Sequence, residues 1–186
     1  MSNFADAYEV TSKITEDGID LLFMSEGKRD VVKIIRYAYF IHYQERDVFN
    51  LAFGDYYSRS RSFSDNIATN NGDPYSVYHT VLASIPYFFK IFEDAMLLVR
   101  GSDSTQKFQD ECRLFCERKC SFEVCRKAHR RINIYRNYVN RHFDSINKEY
   151  MLLGSLTDYE NQLLTEDYVR GKNYLSILLK KRKFIA

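Results

Sequence analysis

Three kinds of side chain in this sequence have the types and spacing for chemistry: separated aspartates, a run of cysteines and a block of arginines. Asp55 closes the apolar alternation of "VFNLAFGD", Asp65 opens "DNIATNN", and Asp103 follows "MLLVRGS". Three carboxylates gathered at one end of a sheet would bind Mg²⁺, which takes oxygen ligands and keeps several waters. Such ions serve phosphodiester hydrolysis by stabilising the attacking and leaving oxygens. The plainer use of an Asp after Gly or at a loop end is local hydrogen bonding in a turn.

All 4 cysteines lie in "CRLFCERKCSFEVC", residues 112–125. Cys112, Cys116 and Cys120 fall at i, i+4 and i+8, one stripe of a helix. Cys125 and His129 repeat the four-residue step. Two such pairs from facing helices make a tetrahedral Zn²⁺ site, so Cys112, Cys116, Cys125 and His129 are the candidate metal ligands. A stripe of cysteines is equally a small apolar packing face. Clustering of this kind is unlike the disulfide framework of a secreted domain and fits reduced thiols in a cytoplasm.

The block "RKAHRRINIYRNYVNRH" interleaves Arg126, Lys127, Arg130, Arg131, Arg136 and Arg141 with Tyr135 and Tyr138. Cations meet phosphates and aromatic rings stack on bases, which makes this the candidate nucleic-acid surface. The protein's net charge is only +2, yet residues 112–149 alone carry +6, against −4 over residues 1–73. A solvated helix face has the same composition. "ATNNGDPYSVYHT" gives a further candidate: Asn70, Asn71 and Asp73, together with Ser102, would line a ligand site where a sheet meets a helix.

The elements that must position these groups can be read from periodicity. "YEVTSK", "IDLLFMSEG", "VVKIIRYAYF" and "VFNLAFGDYY" are extended and rich in β-branched and aromatic residues. They predict an antiparallel three-stranded meander with "FSDNIATNN" as its third strand. From Pro74, Val77, Val81, Leu82, Ile85, Phe88 and Phe89 recur at helical spacing behind Asp73 as N-cap, with a kink or early end predicted at Pro86. "AMLLVRG" reads as a buried strand. "SDSTQKFQDECRLFCERK" reads as a helix capped by Ser102 or Ser104, and 122–150 as a second, basic helix. "YMLLGSL" and "NYLSILLKKRKF" are C-terminal strands joined by a turn-like segment. The fold class is α+β: meander, helix, strand, two helices, C-terminal strands. One domain spans 1–186, with 112–149 its basic helical segment. The N-terminus has no signal-peptide pattern and no stretch is apolar for long enough to span a membrane, so a cytoplasmic location is expected.

The meander, "ATNN" before a helix, and "MLLVRGSDS" ending a strand in Asp resemble the ribonuclease H-like fold over residues 31–110. That resemblance implies a Mg²⁺-dependent nuclease with Asp103 at the carboxylate position after the fourth strand. The helix from Pro74 to Ile85 holds no Glu, and "VVKIIRYAYF" holds no acid. A second resemblance rests on "VFNLAFGD", "NNGDPYSVYHTVLASI", "RGS" and "NYLSILLKKRK". In that order the FGD, NNGD and GS motifs are similar to a family of small bacterial proteins under a domain-of-unknown-function label, which implies a fold and no activity.

No phosphate-cradling loop or nucleophile triad occurs. The chain reads as an intracellular binding protein rather than an enzyme, with no resident cofactor unless Mg²⁺ or Zn²⁺ occupies the sets above. Its expected partner is nucleic acid or another protein, met through the basic aromatic surface, with no membrane. A Mg²⁺-dependent nuclease using Asp55, Asp65 and Asp103 is the alternative, and a component of a bacterial toxin–antitoxin or defence pair is a third. Oligomeric state is not encoded in any pattern of the sequence.

Overall fold

The computed structural model describes residues 7–64, 71–116, 125–157 and 163–183. It is a mixed α+β structure whose chain divides into two compact units, Met1–His42 with Asp47–Ala95, and Tyr43–Arg46 with Met96–Ala186.

The first unit carries the expected antiparallel meander, preceded by two further strands. β1 (Thr11–Thr15), β2 (Gly18–Ser25), β3 (Val31–Tyr43) and β4 (Arg46–Tyr57) are hydrogen-bonded in that order, and β5 (Ser62–Ser64) pairs antiparallel with β4. The register sets Ile19 opposite Tyr37, Leu21 opposite Ile35 and Phe23 opposite Lys33, so these residues share one face. β3 and β4 meet at Gln44 and Glu45, both at positive φ (49° and 59°). That backbone suits the right-handed twist of a two-residue hairpin, which Asn-Gly usually supplies. The hairpin is tight: His42 still belongs to β3 and Asp47 already to β4.

α1 (Pro74–Ile91) covers that face with Val77, Thr80, Val81, Ser84, Phe88 and Phe89. Pro86 does not end it. The ring is exposed to solvent, and the last turn is held by aromatic packing. Phe88 stacks on Tyr37 at 4.7 Å and meets Phe49 at 5.4 Å, while Phe49 also packs on Phe92 at 4.5 Å. Burying each such ring contributes about 1.5–3 kcal/mol, enough to offset one amide hydrogen bond lost at the proline.

In the second unit β6 (Met96–Arg100), β9 (Ser176–Lys181), β7 (Tyr150–Ser155) and β8 (Thr165–Asp167) are neighbours in that order, each pair antiparallel. β8 lies in the segment expected to be a plain turn. After β6 the chain makes a 3-10 turn, Ser102–Ser104, followed by α2 (Gln106–Phe115) and α3 (Arg130–Glu149). Neither Ser102 nor Ser104 caps α2. Thr105 does, its hydroxyl accepting from the Phe108 amide at 3.1 Å. The basic helix, expected from 122, begins at Arg130; residues 117–124 lie outside the described set. α3 bends where His142 leaves helical geometry, and it packs on β6, β7 and β9 through Ile132 and Val139. Beneath it Tyr174 is wholly buried, its ring 2.4 Å from where a Cβ at Gly154 would stand, so only glycine fits there. No helix among the described residues is long and apolar enough to cross a membrane.

Candidate nucleic-acid interface and polar clusters

α3 sorts its cations. Arg131 turns toward Ser102 and bonds its hydroxyl. Arg136 reaches inward to the Tyr174 carbonyl at 3.1 Å and to Asn133, and burial pulls its guanidinium below the ordinary value. Arg126, Lys127, Arg130 and Arg141 are exposed and take part in no ion pair among the described residues. Arg130, Ile134, Asn137 and Arg141 follow one another at four-, three- and four-residue steps along the outer stripe. At 1.5 Å per residue Arg130 and Arg141 stand about 16 Å apart. The interleaved tyrosines are less available than the sequence implied. Tyr135 is half-buried. Tyr138 packs on His142 at 4.4 Å, and burial raises its phenol. Exposed Ile134 supplies the apolar surface of the stripe.

Asp103 is buried, and it organises the start of this helix. Its backbone carbonyl accepts from the His129 amide at 3.2 Å, and one carboxylate oxygen accepts from the Arg131 amide at 3.1 Å. This is a long-range N-cap: His129, at the cap position with φ 60°, makes no side-chain cap bond of its own. The other Asp103 oxygen is buried without a partner among the described residues. Ser102, the remaining ligand candidate of this unit, is exposed and engaged by Arg131.

Cys112 and Cys116 are half-buried on α2, and Cys125 is buried, all three as free thiols. Burial, then the hydrogen-bonded Cys125 thiol, push the Cys112 thiol above its ordinary value. Cys112, Cys116, Cys125 and His129 do not assemble as a metal-binding group; among the described residues no three His, Cys, Asp or Glu side chains do.

In the first unit the Asp55 carboxylate faces the Lys33 ammonium at 2.5 Å, both residues buried. A lysine in the apolar run "VVKII" is the signal that sequence reasoning passed over: a charge there needs a buried partner. Asp73 occupies the cap position of α1, and its side chain makes no cap bond. It accepts instead from Tyr8 Oη at 2.8 Å and Ser25 Oγ at 2.7 Å. Asn71 is a bracket across the β2–β3 loop. Its Nδ2 donates to the Ser25 carbonyl at 3.2 Å, the Ser25 hydroxyl at 3.0 Å and the Arg29 carbonyl at 2.7 Å. Its side chain lies 2.7 Å from where a Cβ on Gly27 would stand, so the loop can lie this close only with glycine there. Asp65 and Asn70 lie outside the described residues.

Among known proteins, one family model matches, over residues 5–109; it describes a family of unknown function, DUF6934. No curated protein and no solved structure matches.

Proposed function

The chain belongs to DUF6934, a family of unknown function, and from its own residues we propose that it binds nucleic acid through the outer face of α3. The observation that carries this reading is the division of labour among the cations. Arg131 and Arg136 are engaged by Ser102 and the Tyr174 carbonyl, and Arg126, Lys127, Arg130 and Arg141 are left facing solvent without carboxylate partners among the described residues. Surface charge that merely solubilises is usually interspersed with acids. Here the outer stripe of α3 from Arg130 to Arg141 has none. The ligand contact is with phosphate rather than with stacked bases, since Tyr135 and Tyr138 are partly covered. Binding is therefore weakly dependent on sequence and strongly dependent on salt.

The test is fluorescence anisotropy with a labelled duplex and a labelled single strand at two salt concentrations. Four phosphate contacts give a slope of roughly −3.6 in log affinity against log salt on duplex DNA. That is a loss of about 150-fold between 50 and 200 mM. Arg130→Glu with Arg141→Glu should abolish binding while the folded spectrum persists. No binding at 50 mM salt, or binding indifferent to the two reversals, overturns the reading. Capture of an acidic protein with no affinity for nucleic acid would also do so.

A further inference from the structure

Asn71 is followed by Gly72, and the fold treats the two residues in opposite ways. The side-chain amide of Asn71 is clamped. Its Nδ2 donates to the Ser25 carbonyl, the Ser25 hydroxyl and the Arg29 carbonyl at 3.2, 3.0 and 2.7 Å, and its Oδ1 accepts from the Arg29 amide at 3.4 Å. Its Cγ lies 2.8 Å from where a Cβ on Gly27 would stand, so the β2–β3 loop covers that carbon. Gly72 is open. It is exposed, sits at φ 80° and has nothing within 4 Å of where its own Cβ would be. The side-chain carbonyl carbon of an asparagine is an electrophile for the backbone nitrogen of the next residue. A glycine there has no Cβ to hinder the approach and leaves the backbone free to turn. Asparagine counts among the thermolabile residues for this kind of loss. The chain thus sets an unhindered nucleophile beside an electrophile that the fold holds still.

We propose that Asn71 is a deamidation site and that the β2–β3 loop is the gate that holds its conversion back. When the loop lifts, hydroxide removes the Gly72 amide proton and the bared nitrogen attacks Asn71 Cγ. The new nitrogen–carbon bond closes a five-membered imide. The bond from Cγ to Nδ2 breaks, and the departing nitrogen takes a proton from water, restores the hydroxide and leaves as ammonia. A second water opens the ring at either carbonyl and gives an aspartyl or an isoaspartyl residue, with no change of oxidation state. The new carboxylate has no hydrogen to donate to the Ser25 and Arg29 carbonyls. It also adds negative charge beside Asp73, which accepts from the same Ser25 hydroxyl that Asn71 bonds. Conversion therefore unfastens the loop, and the lost ammonia does not return. The inference goes beyond the reading of α3 and does not rest on it, because its site lies in the first unit and its readout is the chemistry of one residue.

The experiment incubates the full chain at mildly alkaline pH, folded in buffer and unfolded in urea, then digests it in acid and locates aspartyl and isoaspartyl residues by electron-transfer fragmentation. In urea, residue 71 should convert ahead of every other asparagine, with the isoaspartyl form among the products. The folded chain should convert at the same residue at least about tenfold more slowly, because the donated hydrogen bonds must open first. Gly72→Ala should suppress conversion in both conditions. Gly27→Ala, which pushes the loop off Cγ, should bring the folded rate toward that in urea while the far-ultraviolet spectrum stays native. Where that variant fails to fold, Ser25→Ala, which removes one of the three acceptors, should accelerate the folded chain several-fold. A folded wild-type chain that converts as fast as the unfolded one overturns the gate. So does a folded Gly27→Ala or Ser25→Ala chain that converts at the wild-type rate. Conversion at Asn70 in place of Asn71, or none at residue 71 in urea, overturns the site itself.

Discussion

The ammonium of Lys33 and the carboxylate of Asp55 stand 2.5 Å apart with their side chains only 7% and 6% exposed. The pair is a stability device with a specific failure mode. Asp55→Ala takes the carboxylate away from a buried ammonium and should cost about 3–5 kcal/mol, whereas replacing both partners by apolar residues of similar size, Lys33→Met with Asp55→Leu, should recover most of it. Urea unfolding of the two single variants and the double variant measures this. A double variant as unstable as Asp55→Ala would show that the pair does more than balance charge.

Asp103→Ala should free the start of α3 and destabilise the protein by about 0.5–2 kcal/mol, the usual loss on removing an N-cap acceptor. Asp103→Asn keeps an acceptor for the Arg131 amide and should lose less. Hydrogen exchange at the Arg131 amide is the sharper readout: it should accelerate in Asp103→Ala ahead of any change at Val139, which lies in the packed middle of the helix.

Asn71 supplies donors to two carbonyls, so the direction of its amide matters. Asn71→Asp sets a carboxylate oxygen against the Ser25 and Arg29 carbonyls and should be more damaging than Asn71→Ala, which leaves those carbonyls access to water. Gly27→Ala attacks the same contact from the other side and should be destabilising by itself. Thermal melts of the three variants give the order. Additive losses in the Gly27→Ala, Asn71→Ala pair would contradict a shared contact.

Burial pushes the Asp73 carboxyl up, but hydrogen bonds from the Ser25 and Tyr8 hydroxyls outweigh it and hold the carboxyl below its ordinary range. A depressed folded value means the stabilisation is fully present above the ordinary aspartate pKa of about 3.9 and fades as pH falls through the folded value. Tyr8→Phe and Ser25→Ala should each move the Asp73 midpoint upward in a carboxyl NMR titration. They should also make acid unfolding begin at higher pH. An unmoved midpoint in both variants would mean that the two hydroxyls do not set it.

The sequence made the α1 pattern and the apolar strands legible, because each is written in the spacing of neighbouring residues. It was less informative where partners are distant along the chain. Asp73 sits where a helix cap belongs, but Tyr8 and Ser25, far away in sequence, claim its carboxylate. The cap of α3 could not be found locally, since Asp103 precedes that helix by more than twenty residues. β8 is three residues long and has no periodicity to detect. The basic block was visible in composition. Which arginines are engaged within the fold was not, because that depends on Tyr174 and Ser102, distant in sequence, arriving beside them.

The Gln44–Glu45 turn has a consequence for heredity as well as for shape. Side chains alternate along a strand, so a codon inserted between these two residues would send every side chain of β4 to the other surface of the sheet. Asp55 would part from Lys33, and Phe49 from Phe88 and Phe92. The segment should therefore refuse single-codon insertions and deletions, and a library of length variants across residues 43–46 would read out as an all-or-none pattern of folding.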